Sequence, residues 1–207
     1  LPYEFHGCDV RDPDAVADLI EAIVARHGRL DAVVNNAGGS PYALAAEASP
    51  RLHHKIIELN LLAMLHVSQA ANAVMQQQSG GGSIISISSV SGRRPSPGTA
   101  AYGAAKAGVD SLTRSLAVEW APKVRVNAVV AGMVATEQVE LFYGDDESQA
   151  AVAATVPLGR LADPREIGWA AAFLASDAAS YISGSCLEVH GGGEPPPYLS
   201  ASAANKE

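Results

Sequence analysis

Cysteine is almost missing: Cys8 and Cys186 are the only two in 207 residues, near opposite ends of the chain. Two cysteines cannot build the disulfide framework of a small secreted domain, so a pair of core thiols in a reducing cytoplasm is the default reading. Charge is also scarce, at 17%, and it has the wrong sign for a polyanion: 14 Lys and Arg face 22 Asp and Glu, a formal −8. Such a balance gives no electrostatic reason to bind nucleic acid or an anionic membrane. No apolar run approaches the roughly 18 residues of a membrane span. The start, Leu1-Pro2-Tyr3-Glu4-Phe5-His6, has neither the basic nor the apolar region of a secretory signal. The six histidines include one adjacent pair, His53-His54, with no third ligand placed to complete a metal site. Apolar residues, by contrast, are plentiful at 48%. That is enough for a sizeable core and excludes disorder as the main state. The length suits one domain, or at most two.

Strand-like and helix-like segments alternate. Tyr3–Cys8 reads as the end of a strand. Asp12-Pro13 supplies an N-cap and a first helical residue, after which Val16, Leu19, Ile20, Ile23 and Val24 recur at helical spacing until Gly28. A short apolar run, Leu30–Val34, follows. Ser49-Pro50 opens a helix expected to reach about Gln78, closed by Gly80-Gly81-Gly82. Ser83–Ser88 has the pattern of a buried strand, Ala100–Trp120 of a long helix, and Val124–Val130 of another buried strand. The stretch 131–159 is expected to be irregular, with one short helix near 147–154. Asp163-Pro164-Arg165-Glu166 has the spacing of a capping box. Cys186–Val189 is the last strand. This alternation predicts an α/β fold, a doubly wound parallel sheet with helices on both faces. Residues 1–193 are expected to form a single domain and 194–207 a loose tail.

Open α/β sheets bind ligands beyond the carboxyl ends of their strands. Small and polar residues stand there three times: Asn35-Asn36-Ala37-Gly38, Ser88-Ser89, and Ala131-Gly132-Met133-Val134-Ala135-Thr136. Taken singly, each is an ordinary turn. The long third helix adds Tyr102 and Lys106, four apart and so on one face. Ser89 leaves the preceding strand beside the start of that helix. A hydroxyl, a phenol and an ammonium would then share one pocket. An adjacent ammonium favours phenolate, so Tyr102 is expected to titrate below its ordinary value of about 10. Such a phenol can give a proton to a carbonyl or take one from an alcohol. Ser89 would bind the substrate oxygen where charge develops.

Together, Asn35-Asn36-Ala37-Gly38, Ser89, Tyr102-Gly-Ala-Ala-Lys106, Gly132-x-x-x-Thr136 and the closing Ser183-Gly184…His190-Gly191-Gly192 resemble the signatures of the classical short-chain dehydrogenase/reductase family, in its order and spacing over nearly the whole chain. The 3-oxoacyl reductases are its nearest type. The resemblance implies a Rossmann-type fold and hydride transfer between NAD or NADP and a carbonyl or alcohol. It implies Tyr102 as general acid/base and Lys106 as the residue that holds the nicotinamide ribose and lowers the tyrosine's pKa. Ser89 would orient the substrate oxygen, and Asn60 would bind a relay water to the lysine. Asp9 and Val10 would contact the adenine, and Asn36, Ala37 and Gly38 the adenosine ribose. Gly132, Val134 and Thr136 would contact the nicotinamide carboxamide. A homotetramer, built on the helices at 50–78 and 100–120 and on the last strand, is implied as well.

The chain departs from the family pattern at Ala131, where Pro is usual, at Ala105, where Ser is common, and at His190, where an acidic residue is common. It also has no G-x-x-x-G-x-G before Asn35. The resemblance therefore implies that the family's N-terminal strand, helix and strand, roughly 50 residues with the phosphate loop, are missing from this sequence, and cofactor preference is unreadable. An enoyl reductase would place Lys seven positions after Tyr, where this chain has Val109. A nucleotide-sugar epimerase would need more C-terminal chain. The alternative from another class is a non-catalytic nucleotide-binding or interaction protein on the same fold. Substrate choice is expected to lie in Gly39–Leu44, Val90–Pro97 and Met133–Gly159, which carry Tyr42, Leu141, Phe142 and Tyr143. The last of these segments is expected to be a lid with a solvated tip at Gly144–Glu147. Arg93-Arg94 reads as a solvated pair, or as a contact for an anionic substrate tail.

Overall fold

The computed structural model describes residues 3–201. Four parallel strands, β1 (Ala32–Asn35), β2 (Gly82–Ser89), β3 (Val124–Ala131) and β4 (Cys186–Val189), lie side by side in that order. Helix α1 (Pro13–His27) precedes the sheet. The first crossover holds α2 (Pro50–Ile57), a π turn (Glu58–Leu62) and α3 (Ala63–Met75), and the second holds α4 (Ala100–Glu119). The third holds α5 (Val139–Tyr143), α6 (Asp146–Ala153) and α7 (Pro164–Ala175), and α8 (Pro197–Ala201) follows β4. Because every connection is a crossover, all four strands end at the same edge of the sheet.

The caps form as their residues dictate. Asp12 accepts from the backbone N–H of Asp14 and Ala15, and Gly28 closes α1 in the left-handed region at φ 74°. Asp163 and Glu166 cap α7 reciprocally behind Pro164. The central strands are apolar on both faces because both faces are covered. Ile84, Val124 and Val126 pack with Ala71 and Met75 of α3 and Leu116 and Ala117 of α4. Ile85 and Val129 face the other way, onto Ile167, Ala171 and Leu174 of α7.

Three expectations are corrected. Tyr3–Cys8 is not a strand: it has no ladder partner among the described residues, and Tyr3 and Phe5 are exposed. A strand exists only where a neighbour takes its backbone hydrogen bonds. The single helix expected over 50–78 is broken by the π turn, where the Ala63 N–H reaches back five residues to the Glu58 carbonyl. One extra residue in the turn rotates the two halves relative to each other. Finally, the segment 133–159 carries two helices, not one. Its expected solvated tip is the junction between them: Asp145 accepts from the Ser148 N–H and caps α6, with Asp146 and Glu147 in the first turn.

Candidate active site

β2 ends at Ser89, whose hydroxyl accepts from the Ser91 N–H at 3.2 Å and so starts a tight 3-10 turn, Val90–Gly92. That turn lies against α4: a Cβ on Gly92 would fall 2.6 Å from the Ala107 nitrogen. Only glycine permits the approach. The loop therefore returns close to its own strand, and α4 brings Tyr102 to Ser89. Burial pushes the Tyr102 phenol above its ordinary value, while the Ser89 hydroxyl bonded to it pulls the other way. The expectation that Lys106 would hold Tyr102 below about 10 is not met. The Lys106 ammonium sits over the face of the ring, 5.4 Å from its centroid, and donates to the Ile87 carbonyl at 2.7 Å. Loss of hydration dominates the phenol. Lys106 is 5% exposed, and burial lowers it to about 8, against an upward pull from Asp110.

Asn60 sits in the π turn and is buried. Its Oδ1 accepts from the Gly39 N–H at 2.8 Å, and its Nδ2 donates to the Gly39 carbonyl at 2.8 Å and the Ile56 carbonyl at 2.9 Å. The amide is thus engaged with backbone and fastens the loop after β1 to the helix. A Cβ on Gly38 would lie 2.7 Å from Asn60 Oδ1 and 3.4 Å from Lys106 Nζ. Gly38, Asn60 and Lys106 therefore meet at one point.

Asn36 and Ala37 are exposed at the same strand end. Asp9 and Val10 lie just before α1. The Asp9 carboxylate is taken by Arg11 in two bonds, 2.8 and 2.6 Å, which hold it down to about 2. Arg11 is raised chiefly by its bond to Asp9 and, least, by the charge of Glu58 in the π turn. On the far side of Ser89, Gly132 N–H donates to the Val189 carbonyl, and a Cβ there would meet the His190 backbone at 2.7 Å. Val134 pairs with Ala162, and Thr136 is exposed, its hydroxyl accepting from the Gln138 N–H. The residues expected at the site thus fall into a compact centre of Gly38, Asn60, Ser89, Tyr102 and Lys106, with flanks at 9–10 and 132–136.

The residues fit a nicotinamide cofactor at this centre. The side chain absent at Gly38 lets the backbone after β1 close onto Asn60 and Lys106. Among the described residues, the Ile87 carbonyl is the one hydrogen-bond acceptor Lys106 meets. An ammonium has three donors, so it can also serve a ribose diol.

Sequence reasoning missed the C-terminal wall. A cavity of about 500 Å³ adjoins the site, lined by Val90, Arg94, Met133 and Val156, and also by His190 and Glu194–Pro197. Glu194–Pro197 carry no periodic signal, so their expected role was only that of a tail, and residues 202–207 lie outside the described residues. Arg94 pairs with Glu194 at 2.7 Å and Arg93 with the buried Asp110 at 2.7 Å, so neither arginine is a free surface charge. Tyr143 of α5 is half-buried, its hydroxyl reaching the sulfur of Met133, which lines that cavity.

Comparison with known proteins gives a consistent result. The family model described as Enoyl-(Acyl carrier protein) reductase matches residues 1–194. The 3-oxoacyl-(acyl-carrier-protein) reductase of Vibrio cholerae is 40% identical over 185 residues, 89% of this chain and 75% of that protein. The cis-4-hydroxycyclohexanecarboxylate dehydrogenase of Sinomonas cyclohexanicum is 41% identical over 186 residues, 89% of this chain and 74% of that protein. Among solved structures, Thermoplasma acidophilum aldohexose dehydrogenase superposes with a TM-score of 0.88 at 33% identity, over 100% of this chain and 82% of that one. ElxO with NADP bound superposes with a TM-score of 0.86 at 33% identity, over 95% and 78%. The chain belongs to the classical short-chain dehydrogenase/reductase family, oxidoreductases that work with NAD or NADP on a Rossmann-type parallel sheet.

Proposed function

We propose that the protein interconverts a secondary alcohol and a carbonyl, as an NAD(P)-dependent oxidoreductase acting on CH–OH groups, with Tyr102 as the acid/base. The observation that carries this reading is the meeting of Ser89 and Tyr102, both half-buried, with the buried Lys106 at the strand ends. When bound, the nicotinamide supplies or accepts the hydride. Tyr102 Oη gives the carbonyl oxygen its proton, or takes the proton of the alcohol. Ser89 Oγ donates to the same oxygen as charge develops on it. Lys106 binds the nicotinamide ribose, its ammonium standing over the Tyr102 ring. Asn60 holds the 36–39 loop against Lys106. Asp9, Val10, Asn36, Ala37 and Gly38 receive the adenosine half of the cofactor, and Gly132, Val134 and Thr136 the carboxamide.

The four-residue step from Tyr102 to Lys106 favours this reaction over enoyl reduction, despite the description attached to the matching family model. Both named relatives, a 3-oxoacyl reductase and a hydroxycyclohexane dehydrogenase, act at a carbonyl or hydroxyl carbon. The protein acts in the cytoplasm as a homotetramer, and residues 1–193 work as one domain. Leu62 of the π turn and Val118 of α4 stand exposed, which supports association through these helices. Among the described residues no helix is long and apolar enough to cross a membrane.

The test is a panel of secondary alcohols offered to the full-length protein with NAD and NADP. Oxidation that disappears in Tyr102→Phe, with cofactor binding retained, is the expected result. Cofactor binding without turnover of any alcohol or ketone would instead identify a non-catalytic nucleotide-binding protein. Light scattering checks the tetramer.

A further inference from the structure

The cavity beside the site has apolar walls, from Val90, Met133, Val156 and Pro195, and charges at one end. Those charges are not equivalent. Arg93 is committed to Asp110, whose side chain is 4% exposed. His190 Nε2 meets Glu188 Oε2 at 3.0 Å. Arg94 lies 2.7 Å from Glu194 Oε2, yet its buried Nε makes no hydrogen bond of good geometry, and one terminal nitrogen is turned to its neighbour, the Pro95 carbonyl. A guanidinium favours a carboxylate that meets two of its N–H groups in parallel. Glu194 satisfies the charge and not the fork.

Arg94 is also in the right place relative to the reaction. The Tyr143 phenol is raised by burial and by Tyr102, lowered by Arg94 and raised by Glu194. The cavity that holds Arg94 and Glu194 is also lined by Val90, the residue after Ser89, and by Gly132 and Met133 just past the end of β3. Glu194 comes from outside the sheet. β4 ends at Val189, and Gly191, Gly192 and Gly193 follow at φ 67°, 99° and 82°, a backbone only glycine adopts freely. Glu194 is then held to the cavity by its ion pair, with its side chain still one-third exposed. It can leave Arg94 without breaking any strand.

We propose that Arg94 anchors the carboxylate of a hydroxy- or oxo-acid substrate, and that Glu194 is an internal carboxylate which occupies this anchor until the substrate displaces it. The proposal rests on the alcohol–carbonyl reading for the other end of the substrate. The apolar walls beside Arg94, from Val90, Met133, Val156 and Pro195, take the hydrocarbon that separates the two functional groups. A tethered carboxylate competes at an effective concentration in the millimolar range. Acids therefore displace it, while esters and neutral alcohols, with nothing to offer Arg94, leave it in place and bind poorly.

The experiment uses full-length protein in two arms. In the first, cyclohexanecarboxylate, which cannot react, is titrated by calorimetry into wild type, Arg94→Gln, Arg94→Lys and Glu194→Gln. Binding should weaken about tenfold or more in Arg94→Gln, fall between in Arg94→Lys, and tighten in Glu194→Gln. In the second, 3-hydroxybutyrate, 3-hydroxyoctanoate and 4-hydroxycyclohexanecarboxylate are compared with their methyl esters. The acid should be preferred in kcat/KM, and Arg94→Gln should erase that preference. Equal affinity in all four proteins, or turnover of esters as efficient as of acids, overturns the anchor while leaving the reaction intact. Arg94-dependent binding of the inert acid with no oxidation of any alcohol would keep the anchor and sink the reaction.

Discussion

The floor of the site and its cover are built differently. The floor is the end of β2 with α4 behind it: Ser88, Lys106 and Val109 are all buried, and β2 is hydrogen-bonded on both sides. The cover is α5, α6, the loop after α6 and the segment after β4, where Leu141, Phe142 and Leu158 stand exposed and neither helix buries a single residue. On the proposed function, the difference separates two tasks. Groups that move protons must stay within a fraction of an ångström of their positions, so they sit on elements fixed by sheet and core. Groups that select substrate must admit and release it, so they sit on short elements with few buried contacts.

Four substitutions would break or sharpen this contrast, and the largest effect belongs to the floor. Tyr102→Phe should reduce turnover by about 10²–10⁴-fold. Its melting temperature should hardly change, because one hydroxyl is lost and the ring still packs. Near-normal rate in folded, cofactor-saturated variant would remove Tyr102 as the acid/base.

Lys106 is next, and its signature is a pH window. Its folded pKa is about 8, below the ordinary 10.5, so between these values the unfolded chain holds the extra proton. Stability therefore rises with pH across that window and is unaffected by this group below it. From pH 7 to 10.5, wild type should gain up to about 3 kcal/mol relative to Lys106→Met in denaturant unfolding. A constant difference between the two proteins would show that the lysine is solvated. A matching consequence concerns rate. Since burial raises Tyr102, alcohol oxidation should increase with pH well past neutrality.

Asn60→Ala strikes the joint between floor and cofactor loop. It removes three bonds to backbone, so a loss of about 1–3 kcal/mol is expected in thermal unfolding, with weaker cofactor binding. The smallest stability effect belongs to the cover. Phe142→Ser should change stability by no more than about 0.5 kcal/mol. It should still alter KM among substrates of different size, because Phe142 stands half-exposed on α5.

The floor was legible in the sequence because its chemistry is local. Tyr102 and Lys106 lie one helical turn apart, and Ser89 closes the strand just before them. The capped helices and buried strands were legible for the same reason. Asp12-Pro13, Asp163-x-x-Glu166 and Ser-Ile-Ile-Ser-Ile-Ser each state their structure within a few residues. The π turn was not legible. Glu58-Leu59-Asn60-Leu61-Leu62 has ordinary helical composition, and only packing selects the extra residue. Nor was the partner of Arg94, which lies far down the chain beyond a glycine turn.

The sequence by itself determined the candidate centre: a phenol, an ammonium and a hydroxyl set by neighbouring spacing on one α/β scaffold. The tertiary structure alone decided the electrostatics and the C-terminal wall. Whether Lys106 lowers Tyr102 or burial raises it depends on where water is excluded, and no short segment encodes that. Which carboxylate meets Arg94 depends on the course of the chain after β4. Spacing governs groups one turn apart; burial and long-range closure belong to the whole fold.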